Sequence, residues 1–407
     1  MTSSRPLEDP DSLAALVRTR LAHGAGRVIK QTPSDVVLED ASSDEGLTIW
    51  IRDDEITAVP EAVANPTTRI TADADTLRGV IEGRVAGVEA FLDERLVGRG
   101  NLALALQLDG LFDPRDDRPA RFPRTGSVRV EGVRTLFMEA GPPDAPVALL
   151  LHGLSATNAS LLPTIWELAA DHRVIAPDLP GHGGSSAPLG RYDASFYARW
   201  AIALLDELGV DQAVLVGNSL GGRIALEIGL CNPERVRGLM LLAPAVAFRK
   251  LRQLVPLVSI LRPDFGMLPF WLPVALRRAL PLKGIPLLFA DPDRVSDPYV
   301  QAAADEFARV YAHRRQRVAL LSSLQNIYLD APFGNWGFWG RLPSLTVPAL
   351  FIWGKHDRLV PARFSRHVEE AVPDATSVVL PDCGHVPQWE RPEETHRLMR
   401  KFLANLS

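Results

Sequence analysis

The residues with the clearest chemistry are a serine, an aspartate and a histidine that stand far apart in the chain. Ser219 lies in Val216-Gly217-Asn218-Ser219-Leu220-Gly221-Gly222, after the apolar run Ala213-Val214-Leu215-Val216 and before a helical pattern, Arg223-Ile224-Ala225-Leu226-Glu227-Ile228. Strand, G-x-S-x-G turn and helix in that order make a nucleophile elbow. The turn lifts the serine hydroxyl, and glycines at 217 and 221 leave room for the strained backbone that lifts it. The helix that follows offers N–H groups and the positive end of its dipole to a developing negative charge. A serine hydroxyl is a poor nucleophile at neutral pH, so it needs a base, and the base needs an acid to orient it.

Two downstream turns supply them. Strand Ala349–Gly354 ends in Lys355-His356-Asp357, and Val378-Val379-Leu380 leads to Asp382-Cys383-Gly384-His385. Asp357 follows Ser219 by 138 residues, and His385 follows Asp357 by 28. Open parallel sheets put functional groups just past the C-terminal ends of their strands. Serine, acid, histidine is one of the chain orders in which this relay is built. Of nine histidines, His385 alone both follows Asp357 and stands directly past the last strand. His356 belongs to the turn before the acid, and His396, inside the final helical pattern, is expected on the surface. An oxyanion needs two backbone donors. These are expected from Leu220, next after the serine, and from Leu154, in the turn His152-Gly153-Leu154-Ser155 after Leu149-Leu150-Leu151. His152 reads as a structural turn histidine, and Asp178 with Pro180–Ser185 as shaping the edge of the site. No metal or organic cofactor is called for.

The elements that must position these residues alternate. Strands are expected at Val128–Glu131, Arg134–Glu139, Val147–Leu151, Arg173–Asp178, Ala213–Gly217, Arg237–Leu242, Ala349–Gly354 and Ser377–Leu380. Helices fall between them at about Leu161–Ala170, Ser195–Leu208 and Arg223–Leu230, with a last one at Pro392–Leu406. This rhythm signals βαβ units and a largely parallel sheet, hence an α/β fold over about 127–407. Residues 249–340 interrupt it. Leu254, Val255, Leu257, Val258, Ile260, Leu261 and Phe270-Trp271-Leu272 are apolar, and a more polar helical segment, Pro298–Leu321, follows. A mostly helical cap over the serine, selecting apolar substrates and excluding water, is the expectation. Its interleaved Arg249, Lys250, Arg252, Arg262, Arg277, Arg278 and Lys283 would also let it rest on anionic lipid.

Composition narrows the classes. At 407 residues, two to three domains are expected. A net charge of −5, without a dense Lys/Arg run, argues against nucleic acid. Two cysteines, Cys231 and Cys383, are too few for a disulfide framework and fit a reducing compartment. Met1–Pro10 has no signal-peptide apolar core, and no apolar run is long enough to span a membrane, so a cytoplasmic protein is expected.

The first 118 residues read differently. A helix is expected at 11–22, strands at Leu47–Ile51 and Thr68–Thr71, and helices at Asp73–Glu82 and Val85–Leu92. The unit closes with Leu96-Val97-Gly98-Arg99-Gly100-Asn101-Leu102, and a charged linker, Asp113–Pro119, follows. A small α+β domain fits this order. Asn65-Pro66-Thr67-Thr68-Arg69-Ile70-Thr71, Thr76–Gly83, Ala90-Phe91-Leu92 and Gly98-Arg99-Gly100-Asn101 carry its resemblance to the sterol-carrier-protein-type lipid-binding domain. That resemblance covers most of 15–112 and implies an apolar tunnel for a lipid or acyl chain.

Over about 128–407 the chain resembles the α/β-hydrolase superfamily. The motifs are His152-Gly153, Asp178 with Gly181-His182-Gly183, the Ser219 elbow, Asp357 and Gly384-His385. Gly217-Asn218-Ser219 with Gly221-Gly222, and Cys383-Gly384-His385 with Gln388-Trp389-Glu390, look like the meta-cleavage C–C bond hydrolases and like the monoacylglycerol-lipase-like esterases. The C–C hydrolases usually carry tryptophan after the histidine, where Val386 stands here, and their cap arginine finds no match in 298–309. Both departures favour an esterase. Ser219 argues against epoxide hydrolases and haloalkane dehalogenases, which use aspartate at the elbow. The expected activity is hydrolysis of carboxylic esters with a sizeable apolar part. C–C hydrolysis of vinylogous keto acids is the alternative, and thioesterase and acyltransferase chemistry share the same residues. A lipid-binding or transfer protein with a vestigial hydrolase core is the non-enzymatic alternative.

Overall fold

The computed structural model describes residues 12–21, 34–43, 46–52, 55–106, 108–112, 120–246, 262–268, 273–334 and 336–406. By its internal packing the chain divides into two units, Met1–Thr125 and Gly126–Ser407. The expected linker at 113–119 lies outside the described residues.

In the first unit, helix α1 (Leu13–Leu21) is followed by strands β1 (Ser34–Asp40), β2 (Gly46–Arg52), β3 (Glu55–Val59) and β4 (Thr68–Ala72). Helices α2 (Ala74–Ile81) and α3 (Gly87–Leu92), strand β5 (Leu96–Gly100) and short helices α4 (Leu102–Ala105) and α5 (Leu108–Leu111) complete it. The sheet runs β3-β2-β1-β4-β5, with β1 antiparallel to β2 and parallel to β4. Nothing in the pattern of 34–40 marks a strand, yet β1 is the middle of this sheet. Its Val36, Val37 and Leu38 are fully buried with Ile49, Ile70, Leu77 and Val80. Asp73 starts α2 by accepting the Thr76 N–H at 2.9 Å, which satisfies one of the N–H groups a helix leaves unpaired at its start.

The second unit is built on β6 (Arg124–Val130), β7 (Val133–Ala140), β8 (Val147–Leu151), β9 (Arg173–Pro177), β10 (Ala213–Asn218), β11 (Val236–Leu242), β12 (Ala349–Gly354) and β13 (Thr376–Leu380). Their order in the sheet is β13-β12-β11-β10-β8-β9-β7-β6. Strands β8 to β13 pair in parallel, and β7 runs antiparallel to β9. Helices α6 (Leu162–Leu168), α7 (Ala194–Glu207) and α8 (Leu220–Cys231) lie between strands, as the alternation predicts. From β8 the chain steps to β9 on one side, then returns to lay β10 on the other. That reversal makes the ends of β8 and β10 a topological switch point, the place where such sheets take ligands. Both candidate oxyanion turns border it.

Between β11 and β12 the chain inserts a turn at Pro263–Met267 and helices α9 (Val274–Gly284), α10 (Asp297–Val310), α11 (Arg314–Leu329) and α12 (Phe338–Arg341). The apolar stretches 254–261 and 270–272, and basic residues 249, 250 and 252, lie outside the described residues. The single helical segment expected at 298–321 is two helices. The Ala312 and His313 N–H groups reach back only three residues, to Arg309 and Val310, and this tight turn ends α10. Past β12 come α13 (Phe364–Ala371), α14 (Pro387–Glu390) and α15 (Pro392–Ala404). His396 is buried rather than on the surface, because α15 packs on α6 and brings its Nε2 within 3.2 Å of Thr164 Oγ1. Among the described residues no helix is long and apolar enough to cross a membrane.

Candidate active site

Ser219 stands between β10 and α8 with φ +54° and ψ −112°, a left-handed backbone that only glycine adopts freely. Surrounding bonds hold it there. Its N–H donates to the Leu242 carbonyl at 3.0 Å, and its carbonyl accepts from Arg223 and Ala245 N–H at 3.1 and 2.8 Å. A Cβ on Gly217 would strike the Gly221 backbone, and one on Gly221 the Leu151 carbonyl. The turn is therefore closed to any larger residue at either position.

Asp357 and His385 sit past the ends of β12 and β13, and both are buried. Asp357 Oδ1 accepts from the Leu359 and Val360 N–H groups at 2.7 and 2.8 Å, while Oδ2 lies 2.7 Å from His385 Nδ1. A carboxylate pinned in this way draws the imidazole proton to Nδ1 and leaves Nε2 as the free base. Asn218 joins this pair to the elbow. Its Nδ2 donates to the Leu242 carbonyl at 3.0 Å and to the His385 carbonyl at 3.1 Å. The neighbour of the serine is thus hydrogen-bonded to the histidine residue itself, a link between positions 167 apart that no local pattern announces.

The oxyanion candidates come from two sides. Leu220 is the first residue of α8, where helix geometry leaves the N–H without an intrahelical partner. Leu154 follows Gly153, whose missing Cβ would sit 3.5 Å from Ser219 Cβ. His152 fastens this turn: its Nε2 accepts the Leu179 N–H at 2.9 Å and its Nδ1–H meets the Gly153 carbonyl at 2.8 Å. Burial, aided by the nearby His182 ring, lowers the His152 pKa to about 3, so it remains neutral. Burial also raises the Asp178 pKa to about 6, although N–H groups of Asn158 and Gly184 pull against it at 2.9 and 2.7 Å. Cys383 is no competing nucleophile, since burial pushes its thiol up to about 12. Arg309 pairs with Glu306 on its own helix at 2.5 Å.

The alpha/beta hydrolase family model matches residues 148–398, well over half of the chain. The chain belongs to the alpha/beta hydrolase family. Its N-terminal unit carries an SCP2 domain, matched over 18–113 by the SCP-2 sterol transfer family. A 2-hydroxymuconate semialdehyde hydrolase of Pseudomonas putida is 31% identical over 297 residues, 70% of this chain and 96% of that protein. A 2-hydroxy-6-oxo-6-phenylhexa-2,4-dienoate hydrolase of Burkholderia cepacia is 31% identical over 261 residues, 58% of this chain and 79% of that protein. Among solved structures, a membrane phospholipase A described as a bacterial virulence factor superposes with a TM-score of 0.57 at 25% identity, covering 70% of this chain and 87% of that one. The α/β-hydrolase fold and the small α+β domain before it, both expected from the sequence, are thereby established.

Proposed function

We propose that this family member is a serine hydrolase that cleaves carboxylic esters of apolar or lipid-like substrates through an acyl-enzyme. Ser219 attacks the carbonyl, His385 takes the proton at Nε2 and returns it to the leaving alcohol, and Asp357 fixes the imidazole tautomer. The Leu154 and Leu220 N–H groups hold the oxyanion. The observation that carries this reading is the 2.7 Å contact of His385 Nδ1 with a carboxylate whose other oxygen is held by two backbone donors. Val386 after the histidine, and the engagement of Arg309 with Glu306, support ester over C–C bond hydrolysis. The names of the two curated relatives favour the second reading, a C–C hydrolase of dienoates. Turnover of p-nitrophenyl esters of several chain lengths, abolished in Ser219→Ala, is the expected result. A chromogenic dienoate consumed faster than every ester would move the assignment to the second reading.

The SCP2 domain supports a lipid-like substrate, and the cap supports contact with anionic lipid. Leu276, Leu280 and Leu287 are exposed, as are Phe265, Met267 and Leu268, which precede α9. Arg317 donates to the Gly266 and Leu268 carbonyls at 3.0 and 3.1 Å, and burial together with Arg314 and Arg277 lowers its pKa. Apolar side chains beside clustered arginines suit an anionic bilayer. Sedimentation with vesicles containing phosphatidylglycerol, but not with phosphatidylcholine alone, is expected. Equal binding to both would remove the preference for anionic lipid, and binding to neither would remove the membrane from this reading. The free cysteines Cys231 and Cys383 fit a reducing compartment, which supports the cytoplasm as the place of action.

A further inference from the structure

His385 is held by more than its acid. Its N–H donates to the Leu288 carbonyl at 2.6 Å, so one side of its backbone rests on the insertion between β11 and β12. Its carbonyl is held by Asn218 from the elbow at 3.1 Å. Gly384, just before it, faces residues 288–290 so closely that a Cβ would run into the Leu288 carbonyl. One side chain closes this junction. Glu390, with its side chain 0% exposed, accepts from the Gly384 N–H at 2.6 Å on Oε2. It accepts from the Ala290 and Asp291 N–H groups at 2.8 and 3.2 Å on Oε1. Arg294 stands over the same joint, donating to the Asp382 carbonyl at 2.8 Å and lying 3.7 Å from Glu390 Oε1. A buried carboxylate would cost several kcal/mol if unsatisfied. Here the protein satisfies it with N–H groups from two segments, residues 290–291 of the insertion and Gly384 of the turn before the histidine.

We propose that Glu390 is a positioning residue, clamping cap segment 288–291 to the Gly384-His385 turn so that the seat of the base is built partly from the cap. The imidazole then lines up with Ser219 only while that segment is in place. The proposal rests on the assignment of His385 as the base. It differs from a purely structural role for Glu390, which would affect stability and leave the proton transfer alone.

The full-length protein with Glu390→Gln tests it. An amide keeps the shape but turns a donor toward one of the N–H groups, breaking one side of the clamp. Positional errors at a catalytic group act on kcat, so kcat on a p-nitrophenyl ester is expected to fall about tenfold or more with KM within about threefold. The acid limb of the kcat/KM profile should move, and the low-field NMR signal of the proton on His385 Nδ1 should broaden. Arg294→Ala, at a partly exposed side chain, should show the same changes more weakly, and it decides the matter if Glu390→Gln does not fold. A wild-type kcat and pH profile in both variants, with only the melting temperature lowered, would overturn the proposal. If the wild type cleaves no ester, the functional reading fails separately. The NMR signal then still decides, because an unchanged Nδ1 proton in Glu390→Gln rejects the clamp.

Discussion

Asp357 offers its two oxygens to different neighbours, and this division predicts what an amide would do in its place. The Leu359 and Val360 N–H groups both point at Oδ1. In Asp357→Asn the carbonyl oxygen must take that position, because an NH2 there would face two donors. The NH2 is then forced toward His385 Nδ1, which must become an acceptor, and the ring proton moves to Nε2. The base is lost with the fold intact. Ester turnover should fall about 10³–10⁴-fold in kcat, with little change in the melting temperature, the scale set by other serine hydrolases that lose the correct tautomer. A loss under about tenfold would mean that Asp357 does not set the tautomer. The types and order of Ser219, Asp357 and His385 are legible in the sequence because each sits in a turn directly past a strand. Glu390 is not, because its partners at 290 and 384 mean nothing until the cap folds back.

At the scale of elements, α8 carries the serine at its N-terminus and a buried ion network along its length. Glu227 accepts from Arg223 at 2.9 Å and from Arg341 of α12 at 2.7 Å. Arg223 also reaches Asp330, next after α11, at 3.0 Å and lies over the Phe338 ring at 4.7 Å. Burial alone would push the Glu227 carboxyl up, but Arg341 and Arg223 overcome it and hold the pKa below its ordinary value. Cutting one partner from a buried network leaves the others uncompensated, so Glu227→Ala should cost about 3–5 kcal/mol in urea unfolding. The pair Arg223→Met with Glu227→Leu should cost clearly less than Glu227→Ala, and additive losses would refute the network. Arg223 and Glu227 could be paired from their spacing on a helix, whereas Asp330 and Arg341 could not. Strand β1 escaped notice for a related reason. Its three-residue apolar run is flanked by Asp35 and Glu39, which look solvent-bound until Arg52 of β2 and Arg69 of β4 pair with them. The eight strands of the larger sheet were easier to read, because most are continuous apolar runs of the kind that parallel sheets bury on both faces.

For the whole molecule, buried histidines set the response to acid. Burial lowers the pKa of His152 to about 3, and of His182 and His396 to about 4, while it raises that of Asp178 to about 6. Below about pH 6.5 the unfolded chain protonates all three histidines and the native protein does not, so acid favours unfolding. Asp178 acts in the opposite sense: the native protein holds its proton between about pH 4 and 6, and the unfolded chain does not. Three histidines against one aspartate leave about two protons taken up on unfolding near pH 5, a slope of about 3 kcal/mol per pH unit. Urea midpoints should therefore drop steeply from pH 7 to pH 5, with the histidines' loss complete only near the lowest native value, about 3. His396 lets this be tested away from the chemistry, since it lies between α15 and α6 beside Thr164. In His396→Gln the loss between pH 7 and pH 5 should shrink by about 2 kcal/mol, one histidine's share. The acid limb of ester turnover should be unmoved by that change, because His396 is bonded to Thr164 of α6 and not to the proposed catalytic groups. A His396→Gln protein that loses as much stability on acidification as the wild type would mean that residue 396 already titrates in the native state, and the burial argument would fail at that position.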